Sequence, residues 1–228
     1  MICVINDQIT ANRRRSLLTF VAFVAVAGLV GAVLGAWWFF VGLAVVLAAV
    51  AYLLSDRVAL ALTRARTADP VEHARFHNLV EGLCVAAGLP KPDLYVVDDH
   101  ALNAFSVGRN PDHASVVVTT GLLDRLSRVE LEGVVAHELA HIRNHDTLVT
   151  TTAVGFPVLR LVLPEGRECE ADATGVRITR YPPGLIAALE KLRGESRGMP
   201  GRPWTTAHLW FNAPHPPLEK RLRELRNL

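Results

Sequence analysis

The sequence predicts an α+β fold in which a small antiparallel sheet packs on helices and a pair of apolar helices precedes it. Three observations carry this expectation. From Leu17 to Leu54 no residue bears a formal charge, and Ala, Val, Leu, Phe and Gly dominate. Between Asp93 and Thr119, short runs rich in β-branched residues alternate with turn formers. After Ser127 comes a helical stretch, Val134 to Ile142, in which two histidines and a glutamate sit among apolar residues.

One membrane crossing takes about 20 residues, so the apolar run has the length of two transmembrane helices, about 17–35 and 37–54. They join tightly near Gly35-Ala36-Trp37-Trp38, with the tryptophans at the interface. A signal peptide has an apolar core of only ~7–15 residues followed by a cleavage site, which this run does not match. Arg13, Arg14 and Arg15 precede the first helix, and Arg57, Arg64 and Arg66 follow the second. Basic flanks on both sides place both ends in the cytoplasm. The expected organisation is a membrane anchor over 1–56 and a cytoplasmic domain over 57–228, making a multi-pass protein of the cell (inner) membrane with the lipid bilayer as a partner. Gly28, Gly31 and Gly35 offer a close helix contact.

The 228 residues are half hydrophobic with a formal net charge of +2, which suits one soluble domain plus a membrane segment and gives no reason to expect nucleic acid as a partner. Cys3, Cys84 and Cys169 are an odd number at unrelated spacings, without a disulfide framework or a cysteine metal motif, as fits a reducing compartment.

Past Asp69-Pro70, residues 71–87 form an amphipathic helix with Phe76, Leu79, Val80, Leu83 and Val85 inward, ended by Gly88 and Pro90. His73 and His77 are four apart but lack an acidic partner motif, and are expected on the surface. Asp93–Val97, Ala104–Val107 and Ser115–Thr119 are strands. The last two pair as a hairpin through the turn formers Gly108 to Asp112.

The helix that follows opens on a capping box, Ser127-Arg128-Val129-Glu130. Its His137-Glu138-Leu139-Ala140-His141 places two imidazoles on one face, able to share a metal ion, with the Glu138 carboxylate beside the open coordination position as a proton acceptor. The same spacing arises by chance on solvated helices, but Val134, Val135, Leu139 and Ile142 pack this one, and a buried helix has no ordinary use for three ionisable groups. His145 lies about 12 Å along the helix from His137, too far to join them, and is expected as a solvated or capping residue. Glu168, in Arg167-Glu168-Cys169-Glu170-Ala171-Asp172, is the candidate third ligand, with Asp172 four residues on to fix a histidine tautomer. An ordinary acidic helix turn has the same spacing. Cys169 points about 100° away from Glu168 and is expected to pack.

The HExxH run, Glu168 to Asp172, Asn103-Ala104-Phe105, Thr119-Thr120-Gly121-Leu122-Leu123 and His215-Pro216-Pro217-Leu218-Glu219-Lys220-Arg221 together resemble the HtpX family of membrane zinc peptidases, related to the CAAX prenyl proteases. The resemblance runs from about Pro70 to the C-terminus. It implies a zincin-like (gluzincin) domain holding one Zn2+ by His137, His141 and Glu168, with Glu138 as general base. It also implies peptide binding along an edge strand at Asn103, Ala104 and Phe105, with membrane or misfolded polypeptides as substrates in protein quality control. His215 is expected to donate to an oxyanion, or else only to cap the closing helix. Arg221 is expected to anchor that helix on Asp172 or Asp146.

Relatives carry two further membrane passes after the HExxH helix. Two crossings need about 40 residues, and Ile142 to Arg167 is shorter, so Thr147–Pro164 is expected as a loop or helix pair that at most dips into the membrane surface. Residues 183–193 form a helix, Gly194 to Pro203 a loop, and Leu218 to Leu225 a basic amphipathic helix; His208 is expected to pack. Two alternatives stand beside the peptidase: a CAAX-type prenyl protease, which is built on more membrane passes, and a catalytically silent membrane scaffold, which has no need of Glu138.

Overall fold

A computed structural model describes residues 2–155, 166–193, 209, 211 and 217–228. The N-terminal helices are α1 (Ile2–Val33) and α2 (Trp37–Leu62). Gly35 turns the chain between them at φ +70°, a conformation that costs glycine little. The helices then run side by side: a Cβ on Gly31 would lie 2.7 Å from the Trp37 Cα, and the Phe20 and Tyr52 rings meet edge-on at 6.5 Å. Their outer faces remain apolar, with Leu29, Val33, Trp37 and Trp38 exposed. Helix α2 is long and apolar enough to cross a membrane, with a mean hydropathy of 2.3 over its most apolar window. Both helices overrun the expected spans, α1 starting well before Leu17 and α2 continuing to Leu62.

Short β1 (Arg66–Thr67) leads to α3 (Ala74–Ala87), β2 (Asp93–Val97), β3 (Ala104–Asn110) and β4 (His113–Thr119). The expected β3–β4 hairpin is present, with Ala104 opposite Val118 and Ser106 opposite Val116. The sheet, however, is mixed and not antiparallel. Its order is β1-β2-β4-β3, and β2 runs parallel to β4. The reason is burial: Ala114 to Thr119 is buried at every position, so β4 takes a central place and β2 reaches it by a crossover. In α3, Val85 is exposed, contrary to expectation, and Cys84 faces inward instead. Cys84 continues the stripe of Phe76, Val80 and Leu83, and position 85 falls off it.

Alternate residues of the strands face different layers. Leu94, Val96, Ala104, Val116 and Val118 pack towards α3, α5 (Arg128–Arg143) and α8 (Pro182–Arg193). Val97, Phe105, Val107 and Val117 pack towards Ala59 and Leu60 of α2 and Val154 of α6 (Asp146–Gly155). The sheet therefore separates the helix layer that bears the HExxH run from the layer containing the N-terminal helices. Short α4 (Thr120–Arg125) precedes α5, and α7 (Arg167–Thr179) and α9 (Leu218–Leu225) complete the described helices. Of Thr147–Pro164, the described part is the single helix α6, packed on α1, α2 and β3; residues 156–165 fall outside the described residues, as do Gly194–Pro203, His208 and His215.

Candidate metal centre and its surroundings

Helix α5 starts where the capping box predicts. The Ser127 Oγ accepts from the Glu130 N–H at 3.4 Å, and the Ser127 N–H donates to Glu130 Oε2 at 2.7 Å. Lys191 of α8 also donates to that carboxylate, at 2.7 Å. From Gly133 to Ile142 every residue of α5 is buried, His137 and Glu138 almost completely. Helix α7 lies directly against this buried face because Gly175 has no side chain: a Cβ there would stand 3.0 Å from the His137 backbone nitrogen. That close approach carries Glu168 and Asp172, four residues apart and both buried, to the histidines.

His137, His141 and Glu168 converge so that one ligand atom from each lies within 4.8 Å of the others. The two Nε2 atoms are 3.1 Å apart. Glu168 Oε2 is 3.3 Å from His137 Nε2, and Oε1 is 3.6 Å from His141 Nε2. Ligands bonded at about 2.0–2.1 Å to a tetrahedral centre stand roughly 3.3 Å apart, so the set fits a zinc-sized ion. The tautomers suit it as well. His137 Nδ1 lies 2.8 Å from Asp172 Oδ1, and His141 Nδ1 lies 3.0 Å from Asp146 Oδ2. A proton on each Nδ1 satisfies these carboxylates and leaves both Nε2 lone pairs turned to the common point.

Charge favours a cation there too. Glu138, Glu168, Asp146 and Asp172 are carboxylates in this buried region, and Arg167 and Arg221 are the guanidiniums beside them. Burial works against a charged His141, but Glu168 and Asp146 outweigh it and push its pKa up to about 10. Burial likewise opposes the charge on Glu168, yet the neighbouring His141 and Arg167 hold that carboxyl well below the usual range. A proton or a metal cation answers this excess of negative charge, and two nitrogens with one carboxylate oxygen form a donor set typical of zinc. Cys169 stays outside the group: burial, with Glu224 adding to it, pushes the thiol up to about 11, away from the thiolate that binds metal.

Arg221 ties α9 to the same place. Its Nε and Nη2 donate to the two oxygens of Asp172 at 2.8 and 2.7 Å, and its Nη1 donates to the Phe211 carbonyl at 3.2 Å. Of the two partners expected for Arg221, Asp172 is the one it meets; Asp146 instead holds His141. Asp146 reaches back because His145 reverses the chain at φ 58°, a conformation histidine tolerates better than most residues. His145 is thus buried and not solvated; of the two expectations it meets the other, closing the C-terminal turn of α5 with its N–H donating to the Ile142 carbonyl at 3.2 Å. His73 and His77 are half-buried, and the His77 ring meets the Ala68 carbonyl at 3.0 Å.

Asn103 precedes β3, an outer strand of the sheet, and Ala104 and Phe105 open it, but all three are buried. The Ala104 carbonyl already accepts from the Phe211 N–H at 2.8 Å, and the Phe211 ring stands edge-on to His137 at 4.8 Å. Ser106, Glu138, His141, Glu168, Leu209 and Phe211 surround a cavity of about 10 Å³, room for about one water. Ser106, Arg167 and Phe211 were not legible as members of this group, and Asp146 was expected there only as a partner of Arg221. Asp146 alone had a local signal, an acid just beyond the helix that carries His141.

A family model described as peptidase family M48 matches residues 70–166, which include His137, Glu138 and His141. The protease HtpX homolog of Tropheryma whipplei (strain Twist) is 34% identical over 282 positions, covering 96% of this chain and 97% of that protein. Those of Thermoanaerobacter pseudethanolicus and Streptococcus agalactiae serotype III are 35% and 31% identical, covering 78% and 97% of this chain and 80% and 99% of their own lengths. An alignment of 282 positions with a 228-residue chain contains places where the relative has residues and this chain has none. Identity at this level over nearly the full length of both partners, with the HExxH run inside the matched segment, means that the chain belongs to peptidase family M48, among its HtpX-type proteases.

Proposed function

We propose that this peptidase is a membrane-anchored zinc endopeptidase, its zinc held by His137, His141 and Glu168 and its general base Glu138. The observation that carries the reading is the convergence of those three ligand atoms with a buried carboxylate adjoining the first histidine. Zinc, when bound, supplies a Lewis acid that draws the pKa of water towards 7 and polarises a carbonyl. The chain's own residues do the rest. Glu138 takes a proton from the attacking water as its oxygen bonds to the scissile carbon, then passes that proton to the amine as the C–N bond breaks. Asp172 and Asp146 hold the imidazoles in one tautomer, and Arg221 keeps Asp172 ionised and aimed. His215, in the closing His-Pro-Pro segment, donates to the oxyanion of the tetrahedral intermediate.

Extended substrate adds to the outer edge of β3 near Asn103, Ala104 and Phe105. Since Phe211 already bonds Ala104, and the cavity has room for little more than a water, peptide enters as that bond is released. Helices α1 and α2 form a transmembrane hairpin, in keeping with their exposed apolar faces. Basic residues at both ends support a cytoplasmic side for the catalytic domain, from about residue 57. Membrane or misfolded polypeptides are the substrates this placement favours.

The test is Glu138→Gln, which removes the base and leaves every ligand. It should retain zinc in stoichiometric amount and lose hydrolysis of an unfolded protein such as casein; turnover at the wild-type rate in zinc-loaded mutant protein would overturn the assignment of the base.

A further inference from the structure

A general base is useful only if its carboxylate is held where the attacking water will stand, and a glutamate side chain has three rotatable bonds with which to miss. On α5, Glu138 is 1% exposed. Among the described residues its hydrogen-bond partner is Ser106 of β3, whose Oγ–H donates to Glu138 Oε2 at 2.8 Å. Ser106 is itself 5% exposed and occupies the same face of β3 as Ala104, the face that packs on α5. Every other position of β3 from Ala104 to Val107 is apolar. A hydroxyl set in such a face loses its water on folding and must find a protein acceptor. A carboxylate is a strong one.

We propose that Ser106 is a positioning residue for peptide hydrolysis: its hydroxyl fixes Oε2 of Glu138, so that the remaining oxygen is presented to the attacking water in one orientation. The proposal rests on the assignment of Glu138 as the base. It adds a link between two parts of the site that are far apart in sequence, because Ser106 belongs to the outer strand along which substrate is expected to lie and Glu138 to the helix that bears two of the three ligands. Sub-ångström placement of a reacting group matters, since a 1 Å error can cost about a hundredfold in rate. A neutral hydroxyl on one oxygen of the pair should be worth less than that.

The experiment is a double-mutant cycle on the full chain, with casein or a quenched fluorescent peptide as substrate and bound zinc measured in every variant. Ser106→Ala should lower kcat about tenfold with KM changed less than about twofold and zinc content unchanged. Ser106→Thr, which keeps a hydroxyl, should recover most of that loss. Glu138→Asp withdraws the carboxylate from Ser106 but leaves a base of reduced activity; in that background Ser106→Ala should have little further effect. The proposal is overturned if Ser106→Ala lowers kcat as much in the Glu138→Asp background as in the wild-type one, if its loss follows loss of zinc, or if the Thr variant is as impaired as the Ala variant. Full activity of Glu138→Gln would instead remove the base assignment itself, a distinct result from the cycle.

Discussion

At the scale of the residue, Glu168 and Glu170 sit two apart on α7 and differ in everything that matters for a ligand. Glu168 is buried against both imidazoles, whereas Glu170 is only partly buried and lies outside the converging group. Replacing a metal ligand removes a bond, and replacing a neighbour does not. Glu168→Ala should therefore lose most of its zinc under dialysis against a weak chelator, while Glu170→Ala keeps it. Equal metal content in the two would refute the ligand assignment. A helix model of the sequence distinguishes these positions by the four-residue spacing of Glu168 from Asp172. The carboxylate behind His141 had no such mark, because Asp146 lies on a different helix and reaches back only through the turn at His145.

At the scale of the element, α5 gains its defined start from the box formed by Ser127 and Glu130, and Lys191 ties that box to α8. An N-cap serine replaced by alanine leaves a backbone N–H without its acceptor and typically costs about 1 kcal/mol, whereas glycine in its place costs only a few tenths. Chemical unfolding should thus order the variants wild type, Ser127→Gly, Ser127→Ala in falling stability, with zinc affinity unchanged because His137 and His141 sit about three and four turns further on. An Ala variant as stable as wild type would show that Lys191 and Glu130 alone secure the helix start. The box was readable in sequence because both its members are local. The direction of β2 was not, since it depends on which strand the burial of Ala114 to Thr119 places at the centre.

At the scale of the molecule, α9 is joined to the candidate metal centre by the two-pronged pairing of Arg221 with Asp172, both buried. Burial alone would raise the Asp172 pKa, but Arg221 and His137 more than offset it and lower it to about 2 from 3.8. A carboxyl depressed by folding stabilises the folded chain above its unfolded pKa and loses that contribution as pH falls towards the folded one. Stability held by this pair is therefore complete above about pH 4 and disappears towards pH 2, amounting to about 2 kcal/mol. Asp172→Asn should be less stable than wild type at pH 7, since it takes the nearer carboxylate from buried Arg221 and leaves it only Glu168 Oε2 at 3.7 Å. The difference between the two proteins should narrow by roughly that amount from pH 4 to pH 2, as followed by denaturant unfolding. A constant difference across the interval would show that Asp172 titrates normally in the fold.

What the sequence determined by itself was what depends on short intervals: the helical run of His137, Glu138 and His141, its cap at Ser127, the pairing of β3 with β4, and the two apolar helices turned at Gly35. Each follows from period, turn chemistry or length, and neighbours in the chain suffice to specify it. Only the tertiary structure decided which distant groups face them. Ser106 meets Glu138 because β3 packs on α5, Asp172 meets His137 because Gly175 lets α7 come close, and the Phe211 N–H donates to the Ala104 carbonyl from far along the chain. Such contacts are set by how buried surfaces fit and by where buried polar groups find partners, and no interval along the chain records either.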